Sequence, residues 1–476
     1  MHIGIVVDHP KRDLPGAVLL AHHLTKRIAS VSIIPMYEQG VDVPRLGLDA
    51  IVMNYVREAN YTLIENYAGA GIDVYVLDTE GGVLAQSGGN SPKNFAERIA
   101  GSGISDKLSG YFFWGSLLRD EFLKRGVLPP DKMHLTGCPR FDFAAPRWRK
   151  LLKYKRSGFV LVNANFPLVN PKFSSGPDGE RSAMIAAGWN SDYVDRLLAD
   201  LKVVFAGYLE TVAQMAAQRP NVDILVRPHP FEDEGIYHDA LDEFKNVSID
   251  GQGNVLDVIQ NSAAIVHLNC GTAIEGIMLG KIPLNLSYLD TEATKNHAPL
   301  PASISRPVSS FEELLHCLDH IQEETRTFQF EKLYAEHIHQ FFHNADGAAS
   351  ERVADALVQS GRLNKHRNIR HDVKNVLASS RPAPSIGQRF KGLSNFVFGS
   401  AFTSHALTLV RTQKRDKVLD LDLVRSLSSE LTRHDPGSPP LDVVQAKCRY
   451  LKLPLASISI RVSSRHAAAA PPRNVA

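Results

Sequence analysis

The sequence contains few cysteines, and no spacing pairs them. Its four cysteines, Cys138, Cys270, Cys317 and Cys448, are spread over 476 residues without a CxxC pair or a short cysteine-rich region. Disulfide-stabilised secreted domains and zinc ribbons place their cysteines close together in repeated spacings. We therefore expect four reduced thiols in a cytoplasmic protein.

The sequence also lacks long hydrophobic runs and a strong net charge. No stretch reaches the roughly 20 apolar residues of a membrane span, and the apolar part of the N-terminal MHIGIVVDHP is too short for a signal peptide. The formal net charge is only +2, whereas domains that bind nucleic acid usually have a basic face. We therefore expect a soluble globular protein without a nucleic-acid partner.

Two common nucleotide-binding motifs are absent. The loop after the first predicted strand reads DHPKRDLPG and has no GxGxxG, and GxxxxGK[ST] occurs nowhere in the chain. The first absence argues against a nicotinamide or flavin cofactor, and the second against a P-loop kinase. We therefore expect that the protein binds no cofactor.

The sequence does contain a regular alternation of short apolar runs with amphipathic segments, which is typical of parallel sheets covered by helices. In the first half the predicted strands are 2–7, 31–35, 50–54, 73–77, 110–114 and 133–135, and the predicted helices are 16–28, 61–70 and 117–125. In the second half the predicted strands are 159–163, 222–226, 247–249, 264–268 and 283–286, and the predicted helices are 192–218, 254–260 and 273–279.

This order of elements predicts two Rossmann-like domains, residues 1–147 and residues 156–358. The basic, turn-rich stretch PRWRKLLKYKRSG lies between them as the predicted linker. Residues 359–476 are predicted as a linker followed by a helical and disordered tail. Open α/β sheets bind ligands beyond the carboxyl ends of their strands, so the two sheets predict a cleft between the domains.

Two loops of the second half begin at predicted strand ends and carry polar side chains. Asn163 and Asn165 follow the first strand, where they either hydrogen-bond a ligand or close a turn. Arg227-Pro228-His229-Pro230 follows another strand. The two prolines fix the backbone and hold a cation beside a titratable histidine, which favours phosphate binding over a rigid surface turn.

A third loop opens the helix that follows the strand AAIVHL. Gly271 permits close backbone approach, Thr272 offers a hydroxyl, and the amides around Ala273 lie at a helix start, which favours an anion. Glu275 lies in the first turn of that helix. It either accepts the ribose hydroxyls of a nucleotide or only complements the helix dipole.

The series VNANF, RPHP and GTAIEGIMLGKIP resembles the donor-binding domain of GT-B glycosyltransferases. It is most similar to bacterial surface-carbohydrate biosynthesis proteins, including capsule Kdo transferases, with CDP-glycerol glycerophosphotransferases and UDP-N-acetylglucosamine 2-epimerases as wider relatives. VLDTEGG, YFFWG, HLTGCPRFD and FFHNADGAASERVADAL resemble the same group. The resemblance implies a GT-B-like α/β fold, with two Rossmann-like domains facing across a cleft and a helical C-terminal extension.

The resemblance also implies roles for the loop residues. Arg227 and His229 would contact the donor phosphate together with Thr272 and the neighbouring amides, and Glu275 would contact the ribose. Breaking a sugar–phosphate bond leaves negative charge on the nucleotide, which cations, N–H groups and a proton from His229 stabilise without a metal. Asp420-Leu421-Asp422 has the DxD spelling of cation-binding transferases, but its place in the tail favours a solvated helix face.

The catalytic base or nucleophile is expected from the first domain, which would hold the acceptor. Glu80, followed by two glycines, is the preferred residue, and Asp8, at the end of the first strand beside His9, is the second. The alternative for either acid is a helix cap or a turn residue.

The predicted function is transfer of a sugar, Kdo or a related acidic sugar, from a nucleotide donor to a bacterial surface polysaccharide or its lipid-linked precursor. An epimerase acting on the nucleotide sugar and an inactive nucleotide-sugar-binding scaffold are the alternatives. Residues 390–410 form an apolar run with basic flanks. The run is interpreted as a helix that docks on the enzyme or forms a homodimer, or as an anchor at the surface of the inner membrane.

Overall fold

The computed structural model describes residues 1–28, 30–81, 91–172, 178–186, 189–297, 299–360, 417–449 and 452–463. The chain divides into two compact units. Unit 1 consists of Met1–Gly82, Ala96–Asp142 and Phe341–Ala476, and unit 2 of Val83–Phe95 and Phe143–Gln340. The predicted linker at 361–384, the apolar run at 390–410 and the end at 465–476 that is predicted as disordered lie outside the described residues.

The strands of the described residues form two sheets, one in each unit. They are β1 (His2–Val7), β2 (Ser30–Pro35), β3 (Ala50–Met53), β4 (Asp73–Val76), β5 (Gly110–Phe113), β6 (Met133–Leu135), β7 (Val160–Asn163), β8 (Ile224–Arg227), β9 (Val247–Ile249), β10 (Ala264–His267), β11 (Pro283–Asn285), β12 (Arg306–Pro307), β13 (Leu441–Lys447) and β14 (Pro454–Val462).

The α-helices of the described residues cover these sheets. They are α1 (Pro10–Thr25), α2 (Gln39–Leu46), α3 (Tyr61–Gly69), α4 (Pro92–Ser102), α5 (Ser116–Lys124), α6 (Pro146–Arg149), α7 (Gly179–Ala186), α8 (Ser191–Gln218), α9 (Gly235–Leu241), α10 (Val255–Asn261), α11 (Thr272–Leu279), α12 (Glu292–His297), α13 (Pro299–Ser303), α14 (Phe311–Asp319), α15 (Ile321–Thr327), α16 (Phe330–Leu333), α17 (His339–Phe342), α18 (Ala349–Ser360) and α19 (Leu421–His434). Among those described, none is long and apolar enough to cross a bilayer.

The sheet of unit 1 has the strand order β13-β14-β2-β1-β3-β4-β5-β6. Its strands from β2 to β6 are parallel, and β14 pairs antiparallel with β2, with Ile458 opposite Ile33. Helix α1 approaches the loop after β6 closely, since a Cβ atom at Gly16 would lie 2.7 Å from the backbone nitrogen of Arg140. Glycine is therefore required there for backbone contact.

The sheet of unit 2 is entirely parallel, in the order β12-β11-β10-β7-β8-β9. Most strand residues that face its core are β-branched or leucine, among them Val162, Val226, Val266 and Leu284. The 28-residue helix α8 begins where the side chain of Asn190 accepts a hydrogen bond from the Tyr193 amide at 3.0 Å. The α/β class and the parallel sheets predicted from the sequence are confirmed.

Two segments in the first 160 residues differ from their prediction. Helix α1 begins at Pro10 rather than at residue 16, because proline suits the first turn of a helix and Pro15 is accommodated inside it. The stretch 146–158, predicted as a linker, contains the fully buried Trp148 and belongs to unit 2. Arg149 fixes it by donating to the carbonyl oxygen of Met278 at 3.1 Å.

The chain after residue 340 also differs from the predicted boundaries. Residues 341–358, assigned from the sequence to the second domain, group with unit 1. There the carboxylate of Asp142 accepts hydrogen bonds from the amides of Ala349 and Ser350, at 2.9 and 2.8 Å, and from the Ser350 hydroxyl at 2.6 Å. The predicted helical extension contains α19, and it also contains the two strands β13 and β14, which were not predicted.

Candidate functional site

A row of polar residues crosses the carboxyl edge of the sheet in unit 2. Asn285, His267, Asn163 and Arg227 end neighbouring strands and are aligned in register. All four are buried. Since successive residues of a strand point to opposite faces, this row lies on the face away from the valine-rich core. The predicted ligand loops therefore leave the sheet at one edge.

The loop after β10 is hydrogen-bonded to this row of residues. The Asn163 side-chain amide donates to the Thr272 hydroxyl oxygen at 2.8 Å, and that hydroxyl donates to the sulfur of Cys270 at 3.1 Å. Asn165 reaches the carbonyl oxygen of Asn269 at 3.5 Å. Burial raises the pKa of Cys270 to about 11, so its side chain is a neutral thiol and not a nucleophile. The hydrogen bonds of both asparagines thus shape the loop.

The start of α11 differs in detail from the predicted anion site. The Ala273 amide donates to the carbonyl oxygen of Cys270 at 3.1 Å, and the next amide, of Ile274, donates to that of Gly271 at 3.0 Å. The sequence predicted that the Ala273 amide binds a phosphate. In the structure this amide is instead hydrogen-bonded within the turn. Glu275, assigned to the ribose, is only 6% exposed.

Gly271 borders open space. Its backbone is right-handed, with φ −55° and ψ −21°, and a Cβ atom added there would meet nothing within 4 Å. Neither backbone conformation nor packing in the described residues therefore requires glycine at this position. A ligand that approaches the start of α11 has room to do so.

Arg227 is held by main-chain acceptors. Its guanidinium donates to the carbonyl oxygens of Gln252 at 2.6 Å, Gly253 at 2.7 Å and Asp250 at 3.4 Å. Burial lowers the pKa of this group, although the residue stays cationic at neutral pH. These hydrogen bonds clamp the turn after β9, whereas the sequence assigned Arg227 to a phosphate.

His229 is oriented by a neighbouring amide. The Phe231 amide donates to the Nδ1 atom of His229 at 3.2 Å. In the neutral ring the proton is therefore on Nε2, which makes that atom a hydrogen-bond donor. The side chain is half-buried, on a loop that begins at the end of β8.

Glu232 links two of the ligand loops and was missed in the sequence. It is 1% exposed and accepts hydrogen bonds from the amides of Phe166 and His229, the latter at 3.2 Å, and from the Tyr237 hydroxyl at 2.7 Å. Burial raises the pKa of Glu232 to about 7, although these hydrogen bonds act in the opposite direction. Asp233 and Glu234 follow it directly, so the sequence alone does not single it out.

The carboxyl edge of the sheet in unit 1 holds the two predicted catalytic acids. Asp8 follows β1, and its carboxylate oxygens accept from Lys417 Nζ at 2.6 Å and from Arg12 Nη2 at 2.9 Å. Burial alone would raise the pKa of Asp8, but the hydrogen bond and charge of Lys417 and the charge of Arg12 lower it. Asp8 is therefore an ionised carboxylate.

Glu80 and Asp78 differ sharply in their surroundings. The Glu80 carboxylate is 48% exposed and pairs with Arg57 at 2.6 Å. Asp78, in the same VLDTEGG segment, is 1% exposed and accepts the Glu80 amide at 2.8 Å. Burial raises the pKa of Asp78 to about 6 even though Arg57 lies 3.6 Å away. Of the two, Asp78 has the properties of a proton-transfer group.

Several buried polar atoms at this edge have no hydrogen-bond partner within the described part of the chain. They are the Nδ1 atom of His9, both side-chain polar atoms of Asn54, the Oδ2 atom of Asp78 and the Nε1 atom of Trp114. Burial lowers the pKa of His9 to about 4, so its ring is neutral. Because buried polar groups are normally paired, their accumulation beyond β1, β3, β4 and β5 favours a polar ligand here.

No family model matches the sequence, and no curated protein matches it. Among solved structures, the chain is similar to UDP-GlcNAc 2-epimerase from Neisseria meningitidis bound to UDP-GlcNAc, with 14% identity, a TM-score of 0.45, and coverage of 75% of this chain and 99% of the other. For a putative UDP-N-acetylglucosamine 2-epimerase from Listeria monocytogenes these values are 11%, 0.47, 76% and 96%.

The chain is also similar to the wall teichoic acid polymerase TagF with CDPG, with 12% identity, a TM-score of 0.48, and coverage of 77% of this chain and 90% of the other. All three TM-scores are below 0.5. The chain is thus similar to UDP-GlcNAc 2-epimerases and to a teichoic acid polymerase, the kinds of enzyme that its motifs resemble.

Proposed function

We propose that the chain is a metal-independent transferase that takes a sugar from a nucleotide-activated donor. The observation that carries this proposal is the oriented His229, whose Nδ1 atom is engaged by the Phe231 amide so that Nε2 becomes the donor. A departing nucleotide phosphate is stabilised by such a hydrogen bond or proton. His229 follows β8, and the open space at Gly271 follows β10, on either side of β7 in one sheet.

The other residues of unit 2 have supporting roles in this proposal. Thr272 and Gly271 line the phosphate position at the start of α11, and Glu275 in its first turn contacts the ribose. Arg227 acts as a positioning residue, because its guanidinium fixes the turn at 250–253 through three carbonyl oxygens. Asn163 fixes Thr272 in the same manner.

Unit 1 supplies the acid–base chemistry in this proposal. Two carboxylates whose surroundings move their pKa values in opposite directions suit different steps of one reaction. Asp78, with its raised pKa, moves the proton, and Asp8, with its lowered pKa, stabilises the positive charge that develops on the sugar. Glu80, preferred from the sequence, orients Arg57 through its ion pair.

The finer identity of the substrates rests on the sequence motifs. RPHP and GTAIEGIMLGKIP resemble proteins that act on surface carbohydrates. We accordingly propose Kdo or a related acidic sugar as the donor sugar, and a saccharide or a lipid-linked precursor of a surface polysaccharide as the acceptor.

Product analysis with CMP-, CDP- and UDP-sugars tests the proposed function. The expected result is release of free nucleotide that requires an acceptor. An altered sugar that is still linked to its nucleotide contradicts transfer and supports epimerisation. Binding of nucleotide sugar without turnover under any acceptor condition also contradicts it and supports a scaffold.

Replacing His229 by alanine is expected to weaken nucleotide-sugar binding at least tenfold, because a hydrogen bond to a charged group contributes about 1.5–3 kcal/mol. Isothermal titration calorimetry measures this change. His238→Ala is the matched control, since His238 is exposed on α9 and pairs with Asp242. Equal affinities in the two variants would remove His229 from the binding site.

Replacing Gly271 by alanine is expected to lower donor affinity at least tenfold while the melting temperature stays the same or rises. The added methyl group enters the open space where the phosphate is proposed to bind, and alanine is compatible with the local φ and ψ angles. Gly69→Ala in α3 is the matched control, because its Cβ atom also meets nothing within 4 Å. Unchanged affinity in Gly271→Ala would place the donor elsewhere.

A further inference from the structure

The C-terminal extension is an integral part of unit 1. Strand β14 pairs with β2 along four residues, from Ile458 opposite Ile33 to Arg461 opposite Ser30. Asp435, directly after α19, accepts a hydrogen bond from His22 at 2.9 Å and pairs with Lys26, both near the end of α1.

A second buried contact fastens the extension near α2. The Asp42 carboxylate accepts from the amide of Ser457 at 2.8 Å and from its hydroxyl at 2.6 Å. Asp42 is fully buried, and burial raises the pKa of its carboxyl to about 6. Together with the strand pairing, this contact fixes the described residues 417–449 and 452–463 on the first sheet.

The same extension places a cation at the carboxyl edge of that sheet. Lys417, four residues before α19, donates to Asp8 Oδ1 at 2.6 Å. Both side chains are largely shielded from water, with 11% and 14% exposure. The Lys417 ammonium also lies 5.2 Å from the centre of the Tyr37 ring. Such a short, shielded ion pair is stronger than an exposed one.

We propose that Lys417 is a positioning residue that the extension contributes to the reaction, and that it holds Asp8 in place as an ionised carboxylate. This rests on the proposed function, in which Asp8 stabilises positive charge on the sugar. Arg12 occupies one carboxylate oxygen of Asp8 and Lys417 the other. Each cation therefore fixes one oxygen of the carboxylate, and the extension supplies the second cation.

The remaining groups around Asp8 do not replace Lys417. His9 is adjacent in the chain, but burial lowers its pKa to about 4 and leaves it neutral. Tyr55 is neutral, since burial first and the charge of Asp8 second raise its pKa. Arg12 is shared, because it also donates to Asp13 at 2.8 Å. Loss of Lys417 would therefore leave one oxygen of Asp8 without a cation.

The test compares Lys417→Met and Lys417→Gln with Lys417→Arg in the full chain. The pH dependence of kcat/KM gives a second acidic break, below the one near pH 6 that Asp78 sets, at which protonation of Asp8 lowers turnover further. ¹³C-NMR of the labelled aspartate carboxyl groups, assigned with Asp8→Asn, gives the titration of Asp8. In both neutral variants the two curves are expected to move to higher pH by about one unit or more, since an adjacent cation lowers a carboxyl pKa by 1–3 units. Lys417→Arg is expected to restore both.

Lys447→Met is the matched control, because Lys447 is an exposed lysine of β13 in the same extension. It is expected to leave both curves in place. An Asp8 titration that is the same in wild type, Lys417→Met and Lys417→Gln overturns the proposal. If no nucleotide sugar is turned over, the proposed function fails, while the Asp8 titration still decides whether Lys417 controls that carboxylate.

Discussion

Replacing Asp78 by asparagine is expected to lower turnover at least 100-fold and to leave the affinity for the nucleotide sugar within about twofold. General acid–base catalysis raises a reaction rate by about 10²–10⁴-fold. Asparagine keeps the shape of the side chain but has no proton that it can transfer. Asp78 belongs to unit 1, whereas the proposed donor contacts belong to unit 2. Steady-state kinetics and calorimetric titration measure the two quantities separately.

Glu80→Gln is the decisive comparison for this residue. If Glu80 is the base, as the sequence favours, its replacement lowers turnover more than that of Asp78. If Asp78 is the base, Glu80→Gln has the smaller effect, because the Glu80 carboxylate is exposed and pairs with Arg57. The limb of the pH–rate profile near pH 6 is expected to disappear in Asp78→Asn alone.

The stability of Asp78→Asn distinguishes a loss of catalysis from a loss of the folded structure. The pKa of Asp78 rises from 3.8 to about 6 on folding, so the folded protein binds the proton more tightly than the unfolded chain. Its stabilising contribution is complete below about pH 4 and is lost as the pH rises through 6. Asp78→Asn is therefore expected to be at least as stable as the wild type at pH 7.5. A lower melting temperature there would contradict this.

Replacing Glu232 by alanine is expected to cost about 3 kcal/mol of unfolding free energy and most of the affinity for the donor. The change leaves three buried donors, the amides of Phe166 and His229 and the Tyr237 hydroxyl, without an acceptor. It also releases the loop that holds His229. Chemical denaturation and calorimetric titration measure the two losses.

Asp239→Ala is the control for Glu232, since Asp239 is exposed on α9. It is expected to change unfolding free energy by less than about 0.5 kcal/mol. If Glu232→Ala is as stable as the wild type, Glu232 does not join the two loops. If Glu232→Ala is destabilised but keeps its affinity for the donor, the two loops that Glu232 joins do not form the donor-binding site.

Burial also gives Glu232 a pH dependence. Its pKa rises from 4.5 in the unfolded chain to about 7 in the folded one. The stabilising contribution of the protonated carboxyl is therefore lost as the pH rises from about 4.5 through 7. Glu232→Gln does not ionise, so the difference in stability between this variant and the wild type is expected to change over that range and to level off above pH 8.

The fold was largely predictable because its elements are short and strongly patterned. β1, β6 and β9 have the predicted bounds, and the other predicted strands differ by one or two residues. The strands β13 and β14 were missed, although PLASISIRV alternates small or polar residues with isoleucine as a half-buried strand does. Their pairing with β2 is a contact between distant segments, which no local pattern specifies.

The site was predictable in its location but less so in its residues. RPHP and GTAIE do leave the sheet at one edge, since parallel strands carry their loops there. The partners of these residues depend on the fold around them: Arg227 meets carbonyl oxygens, and the Ala273 amide is used within its own turn. Asp78 was overlooked beside Glu80, because only burial distinguishes the two acids.

The contribution of β14 to the first sheet reverses the usual order of folding during synthesis. The six strands of unit 2 lie between residues 160 and 307, so the ribosome completes that sheet first. The other sheet begins at residue 2 but gains its last strand only after residue 462 has been translated. Until then β2 is an open edge available for pairing with another chain. A nascent chain of this protein therefore exposes an unfinished N-terminal sheet through most of its elongation.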